Sequence, residues 1–292
     1  MRKYRSLISD TIVFGIGNFT VKIVYFLLMP LYTLALSTEE FGIADLLTNA
    51  LALVMPILTL SISDAVFRFT IDKDCQPSAL LSNGFKILSY SYLLVSFIAL
   101  ISFVLFELPN YWILFAIWYI FDSLKLLFAQ YTRALGKVWH FSINGIIGSV
   151  VLLISTFIFV YLLNWGINGY LLSFIFADIT SVFYLIWASP IICSIRNHFS
   201  NNILLKKMLL YSLPLIPNML SWWLTNISSR YIIAAFCGLS VAGLFSAASK
   251  IPAILNIFTS IFQQSWQFAS VKEYQESEKS SFFINVFNNT SS

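Results

Sequence analysis

Long apolar runs alternate with short polar breaks along this chain, and the runs are too long for strands or for half-buried soluble helices. A bilayer's hydrocarbon core, ~30 Å thick, is crossed by about 20 mostly apolar helical residues. By that measure the pattern predicts spans near 11–36, 43–67, 85–106, 111–132, 141–163, 168–189, 208–236 and 241–269. The expected fold class is all-α, a polytopic transmembrane helical bundle of about eight spans. Composition agrees: 59% of the 292 residues are hydrophobic and 10% charged, against roughly a quarter charged in an ordinary soluble domain. Arg2, Lys3 and Arg5 precede the first run as they would in a signal peptide. That run of about 25 residues exceeds a typical h-region and no A-x-A-like site follows it. It reads as an uncleaved first span.

Basic residues fall on alternate connections. Arg2, Lys3 and Arg5 precede the first span; Arg68, Lys73 and Lys86 follow the second; Arg133 and Lys137 follow the fourth; Arg196, Lys206 and Lys207 follow the sixth; Lys272 and Lys279 follow the eighth. Thirteen of the seventeen lysines and arginines thus share one side, while connections 37–42, 107–110, 164–167 and 237–240 contain none. The positive-inside rule makes the basic side, and the N-terminus, cytoplasmic. The net charge of +4 is then an orientation signal rather than a nucleic-acid footprint. The short external connections leave no room for an external catalytic or receptor domain. The polar stretch 190–207 separates a first transmembrane lobe, residues 1–200 with six spans, from the start of a second, residues 201–292 with two spans and a tail. A short internal echo accompanies this division: Leu36-Ser37 with Phe41-Gly42 precedes one apolar run, and Leu239-Ser240 with Gly243 another.

An ionisable group within a span is costly and should meet a wet cavity, a partner or a substrate. Lys22 lies about ten residues, or roughly 15 Å, into the first span. Asn18 is one turn earlier on the same face, and Gly15 and Gly17 allow close approach there. The stripe lines a cavity or forms an interhelical hydrogen-bond cluster. Lys250 is at similar depth in the eighth span, beside Ser246 and Ser249. Arg230 lies toward the external end of a span that Pro214 and Pro217 should kink, where it binds a ligand or snorkels outward. Lys125 has Asp122 three residues before it, giving either a structural ion pair or an anion contact. Asp64 and Arg68, spaced i,i+4, read as a structural pair. Asp178 has no local basic neighbour, so it is buried neutral, paired across helices or part of a proton path.

No sequence pattern marks an enzyme. Ser-x-x-Lys, Gly-x-Ser-x-Gly, a Walker loop and His-Glu-x-x-His are all absent. Cys75, Cys193 and Cys237 have no metal or redox spacing, and His140 and His198 lie in polar connections with nothing pairing them. Neither a metal nor a cofactor is expected. A set of intramembrane cations with few anions suits an anionic ligand such as a phosphate or pyrophosphate.

Several segments resemble a known family. Leu36-Ser37-Thr38-Glu39-Glu40-Phe41-Gly42, Asp64-Ala65-Val66-Phe67-Arg68-Phe69 and Arg133-Ala134-Leu135-Gly136-Lys137 come first, then Ser212-Leu213-Pro214-Leu215-Ile216-Pro217, Arg230-Tyr231-Ile232-Ile233 and Ala248-Ser249-Lys250-Ile251-Pro252. In that order they are similar to the oligosaccharide (O-antigen) flippases of the MATE-like exporter superfamily. The resemblance implies two six-helix lobes around a cavity and movement of undecaprenyl-pyrophosphate-linked repeat units across a bacterial inner membrane by alternating access. It implies lipid-linked oligosaccharide, membrane lipid and other O-antigen assembly proteins as partners. Lys22, Asn18, Lys250, Arg230 and Lys125 become the substrate contacts, with Asp64, Arg68 and Asp122 in structural pairs. The family often has Asp immediately before the Arg-Tyr of the seventh span, whereas Ser229 stands here, leaving the partner of Arg230 open. The tail through Phe282-Phe283-Ile284 looks like a ninth span cut at its start, so the resemblance is to a C-terminally truncated member. The alternatives are a drug or cation antiporter, against which Lys22 counts, a membrane O-antigen polymerase, and a truncated flippase without activity.

Overall fold

A computed structural model describes residues 2–71, 76–106, 109, 111–196 and 202–249, with side chains in the first helix from Phe19 onward. Apart from short connections, the described residues are helical. The helices are α1 (Arg2–Ala35), α2 (Thr38–Leu58), α3 (Ile62–Ile71), α4 (Pro77–Phe106), α5 (Tyr111–Ala134), α6 (Val138–Thr156), α7 (Gly166–Ala188), α8 (Ile191–Arg196), α9 (Asn202–Ser212) and α10 (Leu215–Cys237). A short apolar helix, α11 (Leu239–Ser249), follows. Six segments are long and apolar enough to cross a membrane: Thr38–Leu58, Pro77–Ser102, Tyr111–Ala134, Val138–Leu162, Gly166–Ala188 and Asn202–Cys237. The protein is a multi-pass, all-α membrane protein. Contacts divide the chain into a unit over Met1–Ser246 and a second over Ala247–Ser292. Most of the second, including Lys250, the far part of the eighth predicted span and the tail, lies outside the described residues.

Local chemistry sets where the helices begin and end. Ser37 caps α2: its Oγ accepts from the Glu40 amide at 3.1 Å, and the Glu40 carboxylate accepts from the Ser37 amide at 3.0 Å. This capping box satisfies two amides that the first turn would otherwise leave unpaired. Farther along, α5 stops before Gly136, whose φ of +78° is left-handed. Gly136 N–H donates to the Arg133 carbonyl and Lys137 N–H to that of Thr132, a Schellman-type stop that suits glycine. Beyond Thr156, α6 widens into a π-helical turn over Phe157–Leu162. As Pro214 foretold, the seventh span is interrupted, with α9 ending at Ser212 and α10 starting at Leu215.

The second predicted span, 43–67, is not one helix. It begins earlier, at the capped Thr38, and breaks at Thr59–Ser61, where Leu60 and Ser61 both take left-handed backbone with φ of 53° and 50°. Consecutive left-handed residues cannot continue a right-handed helix. Pro56 and the Ser61 N–H donation to its carbonyl turn the chain toward α3.

Within the bundle, α1 and α6 run in parallel in a fixed register. Val21 abuts the α-carbon of Gly145, Tyr32 Oη meets Thr156 Oγ1 at 3.4 Å, and both pairs are 124 residues apart. Small residues again permit close packing where Gly148 faces Ser181 of α7. The main hydrophobic core lies at the basic end, where α3, α8 and α9 close over α4, α5 and α7 around Ile62, Val66, Leu80, Leu127, Leu185 and Met208. Basic side chains stitch this end together. Arg133 lies over the rings of Phe67 at 4.8 Å and Phe141 at 5.5 Å, and Lys207 lies over that of Phe69 at 5.5 Å. Lys137 Nζ donates to the Ala188 carbonyl at 2.8 Å. Farther along α4, Leu93, Phe97, Leu100 and Leu105 are exposed, as a lipid-facing surface requires.

Candidate functional site

Two charged centres lie between the helices. The first joins α5 to α7. Lys125 Nζ donates to Asp122 Oδ1 at 2.5 Å and to Asp178 Oδ1 at 2.6 Å, and Trp118 Nε1 donates to Asp178 Oδ2 at 3.1 Å. Asp178, for which the sequence left three readings open, is therefore paired across helices. Its side chain is 5% exposed, against 24% for Asp122 and 30% for Lys125. The ammonium is thus held between a buried carboxylate and a more exposed one, with Tyr25 of α1 within electrostatic reach of all three groups.

The second centre joins α2, α10 and α11. Arg230 Nη1 meets Asp45 Oδ2 at 3.3 Å. The same Asp45 oxygen accepts from Asn49 Nδ2 at 3.0 Å and from Ser246 Oγ at 2.7 Å. Two further bonds clamp α10 onto α2: Tyr231 Oη donates to the Leu46 carbonyl at 2.7 Å, and Trp223 Nε1 to that of Asn49 at 2.8 Å. Arg230 therefore does not snorkel outward. The absence of an aspartate at position 229 is made up by Asp45, some two turns into α2. One turn nearer the helix starts, Gly42 and Gly243 cross backbone to backbone.

Contiguous contacts link the two centres. From Asp178 the path runs through Trp118 to Phe174, ring centroids 4.7 Å apart, then to Tyr170 at 5.0 Å, whose Oη meets Thr48 Oγ1 at 2.8 Å. Thr48 is beside Asn49, a ligand of Asp45.

The remaining predicted positions are more scattered. Lys22 is half-buried on α1; by the α1–α6 register it stands level with Ile146, and it shares a face with Tyr25 three residues on. It is not without a partner. The side chain of Asn18 and all of Lys250 lie outside the described residues. Asp64 and Arg68 share α3, but among the described residues no ion pair joins them. The break at Leu60–Ser61 puts Asp64 in the first turn of α3 and half-buried, while Arg68 in the last turn is exposed.

Asp45, Asn49 and Trp118 were not singled out from the sequence, and Ser246 was noted there only as a neighbour of Lys250. A signal for Asp45 was present: Ser37 followed three residues later by Glu40 is a capping box, which moves the helix start from 43 to 38. That places Asp45 within the bundle rather than at its rim.

The class defined by this fold and these centres is a polytopic helical membrane protein with paired charges inside the bundle. The chain belongs to the polysaccharide biosynthesis protein family, whose family model matches residues 7–266. No curated protein matches it. A solved structure named protein A is similar in fold, with a TM-score of 0.64 at 14% identity over 87% of this chain. The match takes in 61% of that structure's chain, so this protein spans about three fifths of its length.

Proposed function

We propose that this protein carries undecaprenyl-pyrophosphate-linked O-antigen or similar polysaccharide repeat units across a bacterial inner membrane by alternating access, as a transporter and not an enzyme. Membership of a polysaccharide biosynthesis family supports the saccharide class. The observation that carries the reading is the state of Arg230. A guanidinium has five donors, and this one, largely buried, engages Asp45 through a single nitrogen. Such a cation is suited to take up a second, diphosphate anion alongside its partner. Lys22 of α1 supplies a second cation at mid-depth, and Asn18 and Lys250 belong to the same proposed set. Lys125 does not: two carboxylates already hold it.

Lys22→Ala is expected to abolish surface polymer in cells that depend on this transporter while leaving its abundance in the membrane unchanged, with Lys22→Arg retaining transport. Immunoblots of membranes alongside polymer staining separate the outcomes, and loss of protein in place of loss of transport would make Lys22 a packing residue. Orientation is tested separately. Reporter fusions within 190–201 should report cytoplasm and those at 107–110 the exterior. The reverse pattern would invert the proposed direction of transport.

A further inference from the structure

We propose that the Lys125 ammonium is a built-in counter-cation, occupying between Asp122 and Asp178 the place that a free monovalent cation or proton would otherwise take. The α5–α7 centre thereby carries a fixed cation of its own, one positive charge set against two carboxylates. The inference does not depend on what the protein carries.

The geometry supports this role. The ammonium is within 2.5 Å of one carboxylate and 2.6 Å of the other, so it bridges the two helices as a shared ion would. The carboxylate with less water receives more help: Asp178 accepts from Lys125 on one oxygen and from Trp118 on the other. Asp122, which among the described residues accepts from the ammonium, is the more exposed of the two. Lys125 is fixed by packing on both sides of its helix, since Trp118 and Phe128 are buried one to two turns away.

The groups that approach the centre from other helices are chiefly tyrosines. Tyr25 comes from α1, with the cation Lys22 one turn of that helix away, and Tyr92 of α4 bonds Ser123, the neighbour of Asp122. On the α6–α7 side, His140 Nδ1 bonds Tyr184 Oη at 3.0 Å, nearly two turns of α7 away from Asp178. Two buried carboxylates facing each other without the ammonium cannot both remain ionised and uncompensated. Removing the lysine charge should therefore create a demand for a cation that the natural protein lacks.

The test is the thermal stability of the purified chain in detergent, with sodium, lithium, potassium or choline chloride at equal ionic strength, and at pH 5 and pH 8. For the natural protein the midpoint should be the same in all four salts. For Lys125→Met it should rise by about 4 °C or more with a small cation over choline at pH 8, or on acidification, as binding to the folded state alone requires. Lys125→Met/Asp122→Asn/Asp178→Asn, which leaves the centre with no charge at all, should lose that dependence. A natural protein stabilised by sodium or lithium over choline would overturn the proposal, because its site would still be taking a cation. So would a Lys125→Met protein that is indifferent to cation and pH, or one that cannot be recovered folded under any of these conditions.

Discussion

Replacing Arg230 by alanine is expected to weaken binding of a diphosphate headgroup roughly 10- to 100-fold, the loss of one or two charge-assisted hydrogen bonds, and to stop export of surface polymer. Replacing its partner should do something different. Asp45→Ala leaves the guanidinium largely buried with no opposite charge, and breaking such a pair from one side costs about 3–5 kcal/mol of stability. Arg230→Ala leaves Asp45 with donors from Asn49 and Ser246, so it should unfold less readily than Asp45→Ala. The two variants are thus expected in opposite orders: Asp45→Ala worse in stability, Arg230→Ala worse in transport per folded molecule. Thermal unfolding in detergent, membrane abundance and polymer staining on the same pair would decide it. An Arg230→Ala protein that exports normally would remove the guanidinium from the proposed site.

Gly243→Ala should be the most damaging single-methyl change. A Cβ there would lie 2.0 Å from the Thr38 carbonyl oxygen and 3.1 Å from the Gly42 amide nitrogen. Both are helix backbone, which cannot swing aside as a side-chain tip can, so α11 must move off α2. Forced overpacking of this kind costs typically about 1–3 kcal/mol, and the displacement should also strain the Ser246 bond to Asp45, three residues along α11. Gly145→Ala is the matched control: its Cβ would meet a Val21 methyl at 3.3 Å, a contact that a small side-chain shift relieves. Unfolding midpoints of the two variants should therefore differ by several degrees. Equal midpoints would mean that the α2–α11 crossing contributes nothing to the fold.

The motifs legible in the sequence acquire physical meaning as places where helices start, stop or meet. Ser37 with Glu40 starts α2, and Gly136 stops α5. Arg133 lies on Phe67, so two of the resembling segments are in contact with each other. The echo between Gly42 and Gly243 is likewise a contact, each glycine making room for the other's backbone. Hydropathy was enough to find the crossing helices because lipid allows few solutions for a polar backbone. It misread the second span because a break made by left-handed Leu60 and Ser61 leaves no glycine to announce it. The pairing of charges was harder still. Spacing along one helix found Lys125 with Asp122, whereas among the described residues no ion pair joins Asp64 to Arg68. The partners of Asp178 and Arg230 lie 53 and 185 residues away in sequence, and nothing local encodes them.

The buried core at the basic end has a thermodynamic consequence. With 21 residues, α2 by itself covers about 31 Å, roughly the thickness of the hydrocarbon. With α2 set across the hydrocarbon, the part of the cluster that follows it, around Ile62 and Val66 of α3, would lie at the headgroup and aqueous zone. Association of helices inside lipid gains nothing from expelling water, but packing of α9 against α3 and α4 does. Two kinds of cohesion hold one molecule: close van der Waals contact between small residues in the bilayer, and an entropy-driven seal at its basic edge. Urea, which weakens the second by solvating apolar and peptide groups, should loosen α9 before it disturbs the register of α1 on α6. Cooling should act on that edge in the same sense, so the protein's first retreat from its folded state would begin in water rather than in the membrane.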